Sequence, residues 1–356
     1  MRGEKMNRIL AVCLLVFLSV GLAFSAGVEL SGIGARAQSL GGNYRAISND
    51  WSGMYWNPAG IAFSEGLAAG FSLEFIRPVA GYTIANLANM PFSGTYGQKI
   101  ENEPKSFLIP AAGVMFGTGK VTYGVGVWAP FGLGAEWDLL NTSTYNNAYP
   151  EFEWEDDLKI IDIHPTVAFK LNDQFSVGLG VSIIMADIMI RKPNFTPNPY
   201  IFNPDLATAA ANLPADALYS PYDHMITDTH LEGDGMGFGA NLGVMFKPTE
   251  HLSLGASFQY YGDVPMEGTI NAKTYFSNHP VANATIMQGI KPIFDAMLAA
   301  GQLSMQEYGM LLNYYSGGTN TLAEGQEVET DLPLPTKVGA GFAYSGIPNL
   351  LISADV

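Results

Sequence analysis

The sequence predicts an all-β protein, an antiparallel β-barrel that crosses a membrane with strands. Three observations carry this. Charged residues are only 14% of the 356 residues, while aromatics reach 12% and glycine numbers 40; soluble domains usually carry about 25% charge. After the first 26 residues no run approaches the roughly 18 apolar residues of a spanning helix. Period-two segments follow one another, joined by connections that are alternately short and long.

The chain opens with an export signal at 1–25. Arg2, Lys5 and Arg8 form a positive start, Ile9 to Phe24 is apolar, and Ala23-Phe24-Ser25 offers small residues for cleavage after Ser25. The apolar run is short for a retained anchor, which needs about 20 residues. Cys13 leaves with the leader, so the exported chain has no cysteine and no disulfide framework. Losing Arg2, Lys5, Arg8 and Glu4 takes the formal charge from −16 to −18. That acidity excludes nucleic acid as a partner, since its affinity rests on Lys and Arg against phosphate.

Residues 26–63 form the second unit. The stretch 31–63 shows neither strand alternation nor an apolar helix face, is crowded with Gly, Ser, Asn and Ala, and ends in Asn57-Pro58-Ala59-Gly60. Pro58 fixes its own φ and biases Asn57 away from the helical region. Taken alone, the stretch fits a plug inside a barrel and a cap on a soluble β domain equally well.

The third unit, 64–356, is the barrel. Nine strands are expected, at 66–76, 107–117, 120–129, 157–171, 174–190, 235–247, 251–262, 336–345 and 348–356. In 174–190 Phe175, Val177, Leu179, Val181, Ile183 and Met185 alternate with Ser176, Gly178, Gly180 and Ser182, one set on each face of a strand. The connections at 118–119, 172–173, 248–250 and 346–347 are tight, and those at 77–106, 130–156, 191–234 and 263–335 are long. Outer-membrane barrels sort their turns this way; sandwiches have no reason to. Two long connections carry helical patterns, at 204–217 and 284–315. In the second, Ile290, Phe294, Met297 and Leu298 are candidates for an apolar capture groove. The chain stops in mid-strand with an odd strand count, whereas closed barrels usually have an even one, so several strands are expected to be missing.

Most chemical motifs fail on context. Gly32-Ile33-Gly34-Ala35-Arg36-Ala37 matches a dinucleotide fingerprint, but no βαβ unit follows. The histidines at 164, 224, 230, 251 and 279 have no metal-ligand spacing. Asp228, Glu232 and Asp234 lack the EF-hand pattern and read as a solvated acidic loop. His164 lies on an inward face beside Asp162, so a barrel hydrolase with a Ser-His pair is one alternative, although no G-x-S-x-G elbow supports it. No catalytic residue, metal or cofactor is assigned.

Several segments resemble one family. They are Asn57-Pro58-Ala59-Gly60-Ile61-Ala62, the run 124–134 with Pro130-Phe131-Gly132-Leu133-Gly134, His164-Pro165-Thr166-Val167-Ala168-Phe169-Lys170, Leu334-Pro335-Thr336-Lys337-Val338-Gly339 and Ser353-Ala354-Asp355-Val356. In this order the sequence resembles the FadL/TodX-type outer-membrane transporters of long-chain fatty acids and aromatic hydrocarbons. The resemblance implies a 14-stranded barrel closed by an N-terminal hatch, of which about nine strands are present here, with a monomer in outer-membrane lipid and lipopolysaccharide. It implies capture of a hydrophobic small molecule by the extracellular loops and sideways exit through a kink in the third strand. Pro130, Phe131, Gly132, Leu133 and Gly134 sit where that kink belongs; Pro cannot donate to the ladder and Gly packs nothing there. It also implies basic residues for a carboxylate, with Arg191 and Lys192 as candidates. An unselective porin is the remaining alternative, and a plugged lumen argues against it.

Overall fold

The computed structural model describes residues 29–30, 32–83, 97, 99–138, 153–197, 213–218, 222, 224–276, 278–279 and 281–356. The leader and the stretch 204–212 lie outside the described residues.

Long antiparallel strands dominate. They are β1 (Glu65–Ile76), β4 (Phe107–Thr118), β5 (Val121–Trp137), β6 (Trp154–Lys170), β7 (Phe175–Pro197), β8 (His224–Thr249), β9 (Leu252–Tyr261), β10 (Val264–Tyr275), β11 (Thr319–Leu332), β12 (Lys337–Ile347) and β13 (Leu350–Asp355), with a small separate hairpin of β2 (Gly81–Thr83) and β3 (Lys99–Glu101). The main sheet runs β1-β4-β5-β6-β7-β8-β9-β12-β13. β10 pairs with the upper part of β8 and with β11, so these strands rise above their neighbours. β7 has 23 residues and β8 has 26, far beyond the 9–11 or so that cross a bilayer.

One expectation is corrected here. The stretch 263–335 is not a loop with a helix. β10 and β11 enclose two helices, α3 (Ala282–Ala299) and α4 (Met305–Tyr315). α4 starts at a capping box: Ser304 Oγ accepts from the Glu307 amide, and Glu307 accepts from the Ser304 amide.

The sheet is apolar on its outer face. Leu67, Phe71 and Phe75 on β1 are 74%, 66% and 64% exposed, and Phe238, Leu242 and Val244 repeat the pattern on β8. The inner positions mix small and polar residues, such as Gly178, Ser182 and Asn241, with buried side chains such as Met115, Trp128 and Ile160. An exposed apolar band of this extent calls for a non-aqueous neighbour.

Residues 32–63 lie against the inner face as short pieces: α1 (Ala35–Ser39), α2 (Gly53–Trp56) and a 3-10 turn, Pro58–Phe63. They touch strands across the whole sheet. Gln38 donates to Glu74 on β1, Asn241 on β8 donates to the Met54 carbonyl, and the Tyr44 and Arg45 amides donate to Asp355 on β13. Inward glycines allow the close approach. A Cβ at Gly178 would lie 2.3 Å from the Pro58 carbonyl carbon, and one at Gly243 would lie 2.1 Å from Asn57 Oδ1. Ile33, Met54, Tyr55, Ile61, Met115 and Trp128 close a buried core between this segment and the wall.

Candidate ligand site and wall opening

Asn57 anchors the inner segment. Its Nδ2 donates to the carbonyls of Arg45 at 2.8 Å and Val244 at 3.1 Å, and its Oδ1 accepts from the Ala59 amide at 3.1 Å. That last bond, with Pro58 at the first helical position, starts the 3-10 turn. Ser176 Oγ then donates to the Ala59 carbonyl at 2.7 Å. The residues 57–60 singled out in sequence therefore converge on β7 and β8.

The wall is incomplete beside β5. β1 and β4 pair along their whole length, and β5 follows β6 up to Trp137 opposite Trp154. β4 and β5, however, pair only over 112–117 and 122–127. Above this, 107–111 faces 128–137 without a ladder. The seam holds a cavity of about 720 Å³ lined by Phe75, Phe107, Leu108, Phe131, Gly132 and Ile161, among others. Gly134 lets the Phe107 ring lie across the seam, since a Cβ there would be 2.2 Å from Phe107 Cζ.

β5 is also bulged at this height. Trp128 pairs with Asp162 and Phe131 with Ile160, so Ala129 and Pro130 together oppose Ile161. Trp128 and Phe131 are both buried, at 1% and 0% exposure. The N-terminal end of the described chain fills the free edge. The Leu30 amide donates to the Pro130 carbonyl at 3.2 Å, and Glu29 bridges Phe131.

Behind Glu29 lies a cation that sequence reasoning missed. Lys337 Nζ donates to Glu29 Oε1 at 2.6 Å and to Tyr55 Oη at 3.0 Å, and lies 4.6 Å over the Phe131 ring. Glu29 and Phe131 line the cavity, so Lys337 is one residue removed from it. The signal was present: Lys337, Gly339 and Gly341 share one face of a strand whose inner positions are otherwise small.

The other candidates fall elsewhere. Arg191 is held by Asp228 at 3.1 Å and Glu153 at 3.1 Å. Lys192, on the opposite strand face, lies 5.3 Å over Trp154. The two do not converge. Asp228 is thus spent on Arg191, and among the described residues no group of three or more His, Cys, Asp or Glu is placed to hold a metal ion.

On α3, Ile290 is buried with Ala282 and Ile286, and Phe294 stacks on Tyr315 at 5.4 Å. Met297 and Leu298 are half-buried. Burial pushes the Tyr314 phenol up to about 12. The Tyr308 hydroxyl and Lys291 hold the Asp295 carboxyl below its ordinary range and tie the two helices together.

His164, Asp162 and Ser182 meet, but not as a hydrolase. His164 Nδ1 lies 3.0 Å from Ser182 Oγ and 3.4 Å from Asp162 Oδ2, while Ser182 Oγ donates to that same carboxylate at 2.9 Å. A nucleophile and an orienting acid must sit on opposite ring nitrogens; here both face Nδ1, and all three side chains are buried.

Comparison with known proteins places this arrangement. Residues 19–307 match the profile of the family described as outer membrane protein transport protein (OMPP1/FadL/TodX). A long-chain fatty acid transport protein of Escherichia coli O6:H1 is 24% identical over 263 residues, covering 72% of this chain and 55% of the relative. The chain thus spans about half the length of that relative. Among solved structures, the Pseudomonas putida toluene transporter TodX superposes with TM-score 0.57 at 16% identity, covering 92% of this chain and 70% of that one. The Ralstonia pickettii toluene transporter TbuX gives 0.56 at 16%, covering 92% and 71%. A Pseudomonas aeruginosa FadL homologue gives 0.54 at 16%, covering 93% and 69%. These likenesses establish the fold, a transmembrane antiparallel β-barrel. The family match covers well over half of the sequence, and the chain belongs to the OMPP1/FadL/TodX family of outer-membrane transport proteins.

Proposed function

We propose that this protein resides in the outer membrane and passively takes up hydrophobic small molecules, without a cofactor. Residues 1–25 are the leader, 26–63 the plug and 64–356 the barrel. The ligand is captured among the extracellular segments around α3 and α4, passes beside the plug, and leaves sideways through the seam between β4 and β5. The observation that carries this reading is the seam itself: an apolar cavity where two neighbouring strands stop pairing. An apolar solute gains by passing from there directly into lipid, because its surface never meets the aqueous side.

The relatives' names span a fatty acid and toluene. Lys337 favours a ligand with a carboxylate, for which Glu29 stands in; the tail then occupies the seam cavity. Arg191, already committed to two carboxylates, is the weaker seat.

The test is uptake by a deletion strain complemented with this gene, offered fatty acids, alkanes and monoaromatics, with a small sugar as control. Restored uptake of hydrophobic compounds alone supports the proposal. Restored sugar flux would favour an open porin.

A further inference from the structure

We propose that Asp162 and Tyr261 act as a register pin that creates the wall opening, making them positioning residues for transport. The inference rests on the reading above that the seam is the exit.

The sequence of β5 and its structure conflict. Below the bulge, Thr122, Gly124, Gly126 and Trp128 lie on the inner face, and Tyr123, Val125 and Val127 are exposed on the outer one. Continuing that parity would send Phe131 and Leu133 outward into lipid and Gly132 and Gly134 inward. That is an ordinary barrel strand, and the residue pattern favours it. The structure does otherwise. One extra residue on β5 inverts the parity, and Phe131 turns inward to full burial opposite Ile160. Hydrophobic patterning does not specify this register, so something else must.

The bracket is Asp162 with Tyr261. On one side of the bulge, the Trp128 indole donates to Asp162 Oδ2 at 3.3 Å. The Tyr261 hydroxyl donates to the same oxygen at 3.5 Å, and Ser182 adds a third donor at 2.9 Å. On the other side, the Tyr261 ring packs edge-on against Phe131 with centroids 5.3 Å apart. The two residues flanking Ala129-Pro130 are therefore tied to one buried pair. His164 supports it from behind, stacked 5.1 Å from the Trp128 ring.

Asp162 is fully buried, and its Oδ1 finds no hydrogen-bond partner among the described residues. A buried carboxylate left partly unsatisfied is unfavourable on its own account. Setting register is the best-attested use of such groups, and here a register is in need of setting.

Paired cysteines read the register directly. In the bulged register Gly132 opposes Lys159; in an unbulged one Phe131 would. Gly132→Cys with Lys159→Cys should form a disulfide in the otherwise native chain, and Phe131→Cys with Lys159→Cys should not. Adding Asp162→Leu and Tyr261→Phe should reverse the two results and lower hydrophobic uptake about tenfold. A 132–159 disulfide that persists in this background overturns the pin. If the disulfides reverse while uptake stays at the native rate, the pin stands and the seam is not the exit. Should that background fail to fold, Trp128→Phe with Tyr261→Phe removes two donors to Asp162 and keeps an aromatic ring at each position; an unchanged disulfide pattern there also overturns the proposal.

Discussion

The amide of Leu30 donates to the carbonyl of Pro130 at 3.2 Å, so the chain's own N-terminal stretch covers the edge of β5 that β4 leaves unpaired. Glu29, next to it, is held by Lys337. The seam is therefore covered by two residues fixed through one backbone bond and one ion pair.

If Lys337 seats a carboxylate, Lys337→Met should weaken uptake of a fatty acid about tenfold, the usual scale for losing a charge-assisted hydrogen bond. Uptake of an alkane of equal length should stay within about twofold on the same scale. Parallel initial-rate measurements check this. Equal losses for both ligands would assign Lys337 to holding Glu29 alone.

Asn57→Ala removes the hydrogen bonds its amide gives to the part-buried carbonyls of Arg45 and Val244 and the bond its Oδ1 takes from the Ala59 amide. The Arg45 carbonyl keeps the Ser48 hydroxyl as a donor, and each lost bond is worth about 0.5–1.5 kcal/mol. If the inner segment is the proposed plug, it should loosen while the strands stay paired, giving a barrel that remains resistant to heat in detergent yet conducts ions in planar bilayers. A silent bilayer would place the anchorage of this segment elsewhere, Asp355 being the next candidate.

Phe294→Asp with Leu298→Asp puts charge on the half-buried face of α3. Burying an unpaired charge is costly, so capture should fail first at low ligand concentration, raising the half-saturation constant several-fold and sparing the maximal rate. Native uptake by a folded double variant would leave α3 and α4 as a lid.

Gly132→Val places a Cβ 3.3 Å from the Leu158 carbonyl and 3.5 Å from Leu30 Cδ1. A β-branched side chain favours extended, packed strand and adds bulk to the cavity wall. Folding should survive, and hydrophobic uptake should fall by about an order of magnitude, a cost ordinary for overpacking.

Much of this was legible in the chain. Six of the nine expected strands, β1, β4, β6, β9, β12 and β13, can be traced to period-two runs with one apolar face toward lipid; β5, β7 and β8 were found but drawn too short. β10 and β11 were missed because they rise above the apolar band. In Thr319–Leu332 nearly every position is exposed or half-buried, so no alternation marks it. At the site, Asn57, Pro58 and Pro130 announce themselves through backbone chemistry that any sequence shows. Glu29 and Lys337 do not, because 308 residues separate them and only the curl of the sheet brings them together. The inward turn of Phe131 was hidden for a stronger reason: the local pattern argues against it, and a buried pair from two other strands overrides that pattern.

The central claim is that the ligand leaves through the seam, and closing the seam covalently tests it most directly. Leu108 and Gly132 line the cavity from its two sides. With Leu108→Cys and Gly132→Cys in the chain, a short bis-methanethiosulfonate linker would bridge β4 and β5 reversibly. Uptake of hydrophobic ligand by the linked protein should fall at least about tenfold, the level set by blocking a sole route, and return when reductant removes the linker. Linked protein that transports at the unlinked rate would contradict the account and point to passage straight down past a displaced plug.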